Sequence, residues 1–442
     1  MIPRASSRTR KLDEARLSSV DLAGKTALVT GATSGLGEAT ARALAARGAR
    51  VVLGVRDLRA GARVAREIRD SIEGCPEDRV VVPTTPLDLA SNASVAAFAR
   101  EVSSTHARSL DVLVNNAGVN FLPESFTPEG IGVIAQINFL GPAVLTRLLE
   151  EPLSRAAERS GVAAVVHVSS VTHRYAAIAP DASAFLRTWE HGSYAASKLA
   201  NVVFANECQR RWWDAGKRIV SVAVDPGAVF SNLWLRDKFF SKPPALFLLR
   251  KLYAPPTDGA TAVVFACLAP FHEEGNEKSV DAEESGNADL SDGFNGSDAN
   301  LKTSAAEAAA AAAGAYFPRD IPRESPKTKT KASLVRTGFE QETLCRSSRF
   351  RFYARGLFAT ELVVRWGPKD VRDAKSLFEK MKWFTRYAVW GVATLLCSAL
   401  DWPMRRLFST TAEVPSSPGS YDERTGAALW EEAGKAAGLA GR

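Results

Sequence analysis

Thr30-Gly-Ala-Thr-Ser-Gly-Leu-Gly37 follows at once on Lys25 to Thr30, a short apolar, β-leaning run, and opens into Glu38 to Arg47, an Ala/Leu-rich stretch of helical character closed by Gly48. Strand, glycine turn and helix in that order give such a loop chemical meaning. Gly31, Gly35 and Gly37 let the backbone approach a pyrophosphate, and the helix N-terminus beyond them supplies amides and the positive end of a dipole. Thr33, Ser34 and Leu36 stand in the same turn and are expected to line the same cradle. The spacing is Gly-x3-Gly-x-Gly, not Gly-x-Gly-x2-Gly.

A second strand, Arg50 to Val55, ends in Arg56-Asp57. A dinucleotide site selective for NAD places an acidic residue near here for the ribose 2′-hydroxyl, whereas an arginine pairs with a 2′-phosphate. Arg56 therefore points to NADP(H), with Asp57 as the competing signal.

Further along, Leu58 to Ile72 fits a helix, Arg79 to Thr85 a strand, and Leu87-Asp88-Leu89 the turn after it. Asp88 is read either as the cap of the next helix, Ser91 to Thr105, or as a contact to an adenine amino group, with Leu89 beside it. The strand Leu110 to Val114 leads to Asn115-Asn-Ala-Gly118, where Asn115, Ala117 and Gly118 are expected to meet the cofactor: small residues let a ribose lie against the backbone, and asparagine amides tie strands together. Thr127 to Glu151 reads as mostly helical and holds Asn138 among apolar neighbours; a buried Asn there is a structural hydrogen-bonder or a water holder in a proton path.

Ala163 to Val168 is a strand closing on Ser169-Ser170, followed by a loop, Thr172 to Gly192, long enough to form part of a substrate pocket. Tyr194-Ala-Ala-Ser-Lys198 then opens an apolar helical run. Its Tyr and Lys are at i and i+4 and share a face, so an ammonium is expected to favour the phenolate and pull the phenol's pKa from about 10 toward neutrality. Ile219 to Val224 is another strand, ending in the turn Asp225-Pro226-Gly227 whose backbone suits a carboxamide.

With 442 residues, 46% hydrophobic and 24% charged, the chain has ordinary globular composition, and its net charge of +7 is modest for that length. No C2H2 spacing, RRM-like aromatic motif or basic heptad helix is present, so nucleic acid is not an expected partner. Cys75, Cys208, Cys267, Cys345 and Cys397 show neither disulfide nor zinc spacing, which suits a reducing, intracellular compartment and implies no metal. The first 22 residues are basic without an apolar core, so a secretory signal is not expected, while a short organelle-targeting segment stays open.

Taken together and in order, Thr30-Gly-x3-Gly-x-Gly37, Asp88, Asn115-Asn-Ala-Gly118, Asn138, Ser170, Tyr194-x3-Lys198 and Pro226-Gly227 resemble the short-chain dehydrogenase/reductase family. Arg56-Asp57, Val168-Ser-Ser-Val-Thr-His173 and Ser193-Tyr-Ala-Ala-Ser-Lys-Leu-Ala-Asn201 look like its retinol-dehydrogenase-like branch. The resemblance covers about residues 22 to 268. It resumes at Gly314-Ala-Tyr-Phe317, similar to the family's last strand, and at Ala427 to Leu439, similar to the branch's C-terminal helix.

The resemblance implies an α/β fold, a Rossmann-type doubly wound parallel sheet with helices on both faces. It makes Tyr194 the general acid/base, Lys198 the group that lowers its pKa and holds the nicotinamide ribose, Ser170 the partner of the substrate carbonyl, and Asn138 the holder of a water. The choice of Ser170 over Ser169 rests on the family pattern. The implied reaction interconverts a carbonyl and an alcohol on a hydrophobic molecule, retinoid-, steroid- or aldehyde-like, with Phe239, Phe240, Leu246, Phe247 and Leu248 as a substrate lid or as ordinary core.

The expected organisation is a basic extension over 1–22, the dehydrogenase domain over 23–270, an acidic disordered insertion over 271–313, the last strand in 314–324, a basic and apolar, mainly helical insertion over 325–415 and a C-terminal helix over 416–442. Acidic residues crowd the third segment, which lacks the apolar surface to order itself. In the fifth, Tyr387 to Leu400 carries no charge but is short of the roughly 20 residues of a bilayer span. Three readings of 383–406 stand, in this order: a helix packed on the enzyme or a second copy as a homodimer, one lying on a membrane surface with Trp383, Trp390 and Trp402 as anchors, and last a true span. The expected place is the cytoplasm or the cytosolic face of an organelle membrane. Against the enzyme reading stands a non-catalytic scaffold on the same nucleotide-binding fold.

Overall fold

The computed structural model describes residues 10–11, 20–178, 182–188, 193–238, 240–286, 351–355, 411–413 and 416–439. The strands are β1 (Arg10–Lys11), β2 (Thr26–Thr30), β3 (Arg50–Gly54), β4 (Val80–Val81), β5 (Val112–Asn115), β6 (Ala163–Val168), β7 (Ile219–Asp225), β8 (Arg351–Arg355) and β9 (Thr411–Glu413). They form one sheet in the order β1-β9-β8-β7-β6-β5-β2-β3-β4. From β4 to β8 every neighbouring pair is parallel, and β9 and β1 add an antiparallel edge.

Between them run α1 (Gly35–Ala45), α2 (Leu58–Asp70), α3 (Asn92–Glu101), α4 (Val133–Ala135), α5 (Gly141–Leu148), α6 (Glu150–Ser160), α7 (Ala182–Arg187), α8 (Ser193–Asp214), α9 (Ala245–Leu252), α10 (Pro256–Gly286) and α11 (Glu423–Ala436). Strand alternation sorts them into two layers. Leu28, Val52, Leu113 and Val165 pack with Phe98 of α3, Val144 of α5, Phe204 of α8 and Leu429 of α11. Ala27, Val29, Val51, Leu53, Val114 and Val166 pack with Leu44 of α1, Ile68 of α2 and Val263 of α10. Strands buried on both faces read as near-continuous apolar runs, as β2, β3 and β6 do. The doubly wound fold is as expected, and strand order reverses between β2 and β5, where such sheets bind ligands.

Several boundaries move. β4 is only two residues long because Pro83 and Pro86 cannot donate to a ladder. Helix does not begin at Thr127: Pro128, Gly130 and Gly132 delay it to Val133, and a π-helical turn, Gln136–Leu140, separates α4 from α5. The loop over 172–192 holds a 3-10 turn, Val171–Tyr175, and α7.

α10 passes through Pro270 and continues to Gly286, so the acidic segment begins as helix. Ala262 to Ala269 is buried and anchors the helix, and extending a formed helix is far easier than nucleating one. The sheet position beside β7 is taken by Arg351–Arg355, a stretch assigned by sequence to the basic insertion. Gly314 to Phe317, Asp370 to Met381 and the whole of 383–406 lie outside the described residues. Among those described, no helix is long and apolar enough to cross a membrane.

α11 docks where the resemblance put a C-terminal helix. Trp430 stacks on Phe204 with ring centroids 5.9 Å apart, and the Arg147 guanidinium lies 3.8 Å from its centroid. Arg147 also donates to the Trp430 carbonyl at 3.1 Å. The helix thus covers α5 and α8, the helix that carries Tyr194.

Candidate active site

The glycine loop is pinned to the turn after β5. Thr30 Oγ1 accepts from the amides of Asn116 and Ala117 at 3.0 and 3.1 Å, and Asn116 Nδ2 donates to the Thr30 carbonyl at 2.8 Å. That closeness explains the glycines. A Cβ on Gly37 would lie 2.4 Å from both Asn116 Nδ2 and the Gly31 oxygen, and Gly31 and Gly35 hold φ of +66° and +61°. Ser34, at the N-cap of α1, makes no side-chain capping bond, leaving the first-turn amides to a ligand.

A cavity of about 880 Å³ runs from this loop along the carboxyl ends of the strands. It is lined by Gly31, Thr33, Ser34, Gly35, Leu36 and Gly37 of this loop, by Arg56, Asp88, Leu89, Ala117, Gly118, Pro226 and Gly227, and by Ser170, Tyr194 and Lys198. Asn115, expected as a cofactor contact, is not among these residues. Its amide donates to Thr146 Oγ1 at 2.8 Å inside the core, and Asn116 takes the wall position. The parity of β5 carried the signal: Asn115 shares the face of Leu113, which packs toward α5.

Two acidic residues separate by their bonds. Asp57 caps α2, its Oδ1 accepting from the Arg59 and Ala60 amides at 3.0 Å each, and both Arg56 and Asp57 line the cavity. Asp88 does not cap α3; Ser91 does. One Asp88 oxygen accepts from the Ala90 amide at 3.0 Å within its own turn, and the residue stays on the cavity wall.

The neighbouring serines also part ways. Ser169 is buried and donates to the Lys198 carbonyl at 2.8 Å, which fixes α8 to the end of β6. Ser170 lies within hydrogen-bonding reach of the Tyr194 phenol. Asn138, in the π turn, accepts from the Val119 amide at 2.7 Å and donates to the Val119 carbonyl at 2.9 Å and to Ser197 Oγ at 3.1 Å. A Cβ on Gly118 would stand 3.4 Å from Lys198 Nζ and 3.5 Å from Asn138 Oδ1, so the bare glycine keeps the space between those two groups open.

The electrostatics correct one expectation. The Tyr194 pKa is raised, not lowered: burial penalises the phenolate, and the Ser170 bond opposes this only in part. Lys198 does not cancel the penalty. Its Nζ donates to the Val168 carbonyl at 3.0 Å and sits 5.6 Å from the Tyr194 ring centre, and its own burial lowers its pKa to about 8.

The expected lid divides. Phe240 is fully buried with Phe121, Trp234 and Tyr253, while Phe247 and Leu248 face outward, 59% and 41% exposed. Phe239 lies outside the described residues. The aromatic surface at the cavity comes instead from Trp234 and Tyr253, whose rings meet edge-on at 5.1 Å. Sequence reasoning passed over both; Trp234, a few residues beyond the Pro226-Gly227 turn, was the available signal.

The description "short chain dehydrogenase" belongs to the family whose model matches residues 25–237. Human retinol dehydrogenase 11 is 36% identical over 253 residues, 55% of this chain and 76% of that protein. Human retinol dehydrogenase 12 is 38% identical over 255 residues, covering 57% and 75%. Mouse polyprenol dehydrogenase is 36% identical over 248 residues, covering 56% and 72%. With the doubly wound sheet, the glycine loop and the Tyr194–Lys198 pair already in place, these matches show that the chain belongs to the short-chain dehydrogenase/reductase family, in its retinol-dehydrogenase-like branch, and is an oxidoreductase.

Proposed function

We propose that the protein is an NADP(H)-dependent enzyme that interconverts a carbonyl and an alcohol on a small hydrophobic molecule, retinoid-, steroid- or aldehyde-like, with Tyr194 as the proton donor and acceptor. The observation that carries this is the meeting of Ser170, Tyr194 and Lys198 in the same cavity that the glycine loop lines. The family's cofactors are NAD(P)(H), and the residues present fit one. Gly37 stands where a Cβ would collide with the loop's own backbone, and the first turn of α1 is left uncapped by side chains.

Under this reading Gly31, Thr33, Ser34, Gly35, Leu36 and Gly37 hold the pyrophosphate, and Arg56 takes the 2′-phosphate with a charge-assisted bond. Asp88 and Leu89 flank the adenine, Ala117 and Gly118 the ribose, and Pro226-Gly227 the carboxamide. When bound, the dinucleotide supplies or accepts hydride. The chain's own work is on the oxygen. Ser170 donates to it, and Tyr194, a phenol that keeps its proton at neutral pH and the more so because burial raises its pKa, gives it that proton as negative charge develops.

Lys198 then stands beside the phenolate that remains. Asn138 Oδ1 has one lone pair beyond the Val119 amide, enough for a water between Lys198 and solvent. Trp234, Tyr253 and Val229 supply an apolar wall for the substrate. The names of the matched relatives, retinol and polyprenol dehydrogenases, agree with a hydrophobic alcohol.

Turnover of retinaldehyde, a steroid ketone and a long-chain aldehyde with NADPH, in wild type and Tyr194→Phe, tests the proposal. Loss of the phenol is expected to cut kcat about 10²- to 10⁴-fold with NADPH binding retained. Equal turnover in the two proteins would end the tyrosine mechanism, and no turnover in either would leave the scaffold reading.

A further inference from the structure

The turn that carries Ser170 is held from the far end of the chain. Ser170 caps the 3-10 turn, and its carbonyl accepts both the His173 backbone N–H, at 3.0 Å, and His173 Nδ1, at 2.7 Å. A ring nitrogen facing a carbonyl must carry the proton, so the neutral His173 ring is the Nδ1–H tautomer and Nε2 is an acceptor. Nε2 lies 3.1 Å from Ser416 Oγ, whose hydroxyl is the donor that fits.

The same segment grips a second element. The Ser416 amide donates to the Tyr421 hydroxyl at 3.2 Å, and the Ser420 carbonyl accepts from Asn206 Nδ2 at 2.8 Å. Asn206 belongs to α8, the helix of Tyr194 and Lys198. His173, Ser416 and Ser420 are all buried. Residues 416–421 therefore touch both the turn that presents Ser170 and the helix that presents Tyr194. Burial, with the Arg174 charge beside it, lowers the His173 pKa to about 3, so the ring stays neutral near neutral pH, and the Ser170 carbonyl decides which nitrogen carries its one proton.

We propose that His173 and Ser416 are positioning residues, the hydrogen-bond chain Ser416–His173–Ser170 fixing the Ser170 hydroxyl against the Tyr194 phenol. The proposal rests on the reading of Ser170 as the carbonyl-binding group. Losing the Ser416 hydroxyl removes the donor that holds Nε2 as an acceptor, which lets the ring turn or change tautomer. Ser170 then loses one of the bonds that hold it, the one from the His173 ring.

The test uses the full chain. In Ser416→Ala, kcat for retinaldehyde is expected to fall about tenfold while the NADPH dissociation constant stays within about twofold, since a small displacement at reacting groups costs rate before it costs remote binding. Ser416→Thr, which keeps the donor, restores kcat to within about threefold. A purely structural brace would lower stability without that split between kcat and binding. Independently, ¹⁵N spectra of the wild-type protein are expected to show His173 as the neutral Nδ1–H tautomer, needing no variant to fold.

An Nε2–H tautomer in wild type, or a Ser416→Ala kcat within about twofold of wild type, overturns the proposal. Ser170→Ala run in parallel separates the two levels. Wild-type turnover there refutes the reading of Ser170 itself, whereas a slow Ser170→Ala beside an unaffected Ser416→Ala refutes the positioning chain alone.

Discussion

Lys198 donates to the carbonyl of Val168 at 3.0 Å, tying α8 to the last residue of β6 through a buried ammonium. Burial lowers its pKa from 10.5 to about 8, against the pull of Asp225. The unfolded chain keeps this proton up to about pH 10.5, so between about pH 8 and 10.5 the unfolded state binds more protons than the folded one and the site's contribution to stability rises with pH. Below that window the folded chain bears the full cost of a buried charge. Urea midpoints at about pH 7.5 and 9.5 should therefore differ more favourably for wild type than for Lys198→Met. A steeper rise in the variant would contradict this assignment.

Arg56 and Asp57 both line the cavity, and one Asp57 oxygen caps α2. Arg56→Gln is expected to raise the KM for NADPH by about 10- to 100-fold, the worth of a charge-assisted bond, and to leave the KM for NADH nearly unchanged. Steady-state kinetics with both cofactors decide it. Parallel losses for NADPH and NADH would move the 2′-phosphate contact elsewhere.

Gly35 and Gly37 should fail differently. Gly35→Ala places a side chain in the left-handed region, at about 1–2 kcal/mol, but its Cβ meets nothing nearer than Ser231 Cβ at 3.8 Å. Gly37→Ala drives a Cβ to within 2.4 Å of the Asn116 amide and the Gly31 oxygen, so the loop itself must shift. Calorimetric titration with NADPH is expected to retain binding in the first variant and lose it in the second. Similar affinities in both would mean that the loop yields more easily than its contacts suggest.

Trp430 is packed by Phe204, Arg147 and, with its guanidinium 4.9 Å from the ring centre, Arg211. Trp430→Ala should cost about 3–5 kcal/mol in urea unfolding, as truncation of a large buried aromatic does. Arg147, already depressed in pKa by burial, loses its aromatic face as well. A loss below about 1 kcal/mol would show that α11 adds little to the packing of α8.

What the sequence made legible was whatever rests on local spacing. The glycine loop, β2, β3 and β6, and the i, i+4 pair of Tyr194 and Lys198 are properties of short stretches, and each lies close to where periodicity put it. What stayed hidden depends on direction or on distant partners. Asn115 and Asn116 are indistinguishable as residue types, and only the pleat of β5 turns one inward. Asp57, a competing cofactor signal by sequence, caps α2, and of the two readings of Asp88 the cap of α3 is not the one seen, because a cap needs an amide at the right angle and not merely an acid nearby. The Tyr194 pKa was misjudged since pairing was counted and desolvation was not. Ser416 and His173 stand too far apart in the chain for any local pattern to join them. The switch from β7 to Arg351–Arg355 likewise skips a long stretch of sequence that spacing has no means of bridging.

Asn138 owes its place to the π turn Gln136–Leu140. Such a turn closes on the fifth residue where an α-helix closes on the fourth. Deleting a single residue within it would let α4 run straight into α5 as ordinary helix, with every side chain on one flank rotated by about 100° against the other. All the residues of the site would then still be present and only their phase would be wrong. At this point the chain stores the geometry of its chemistry as a length, so a residue gained or lost here should weigh more than most exchanges of one side chain for another.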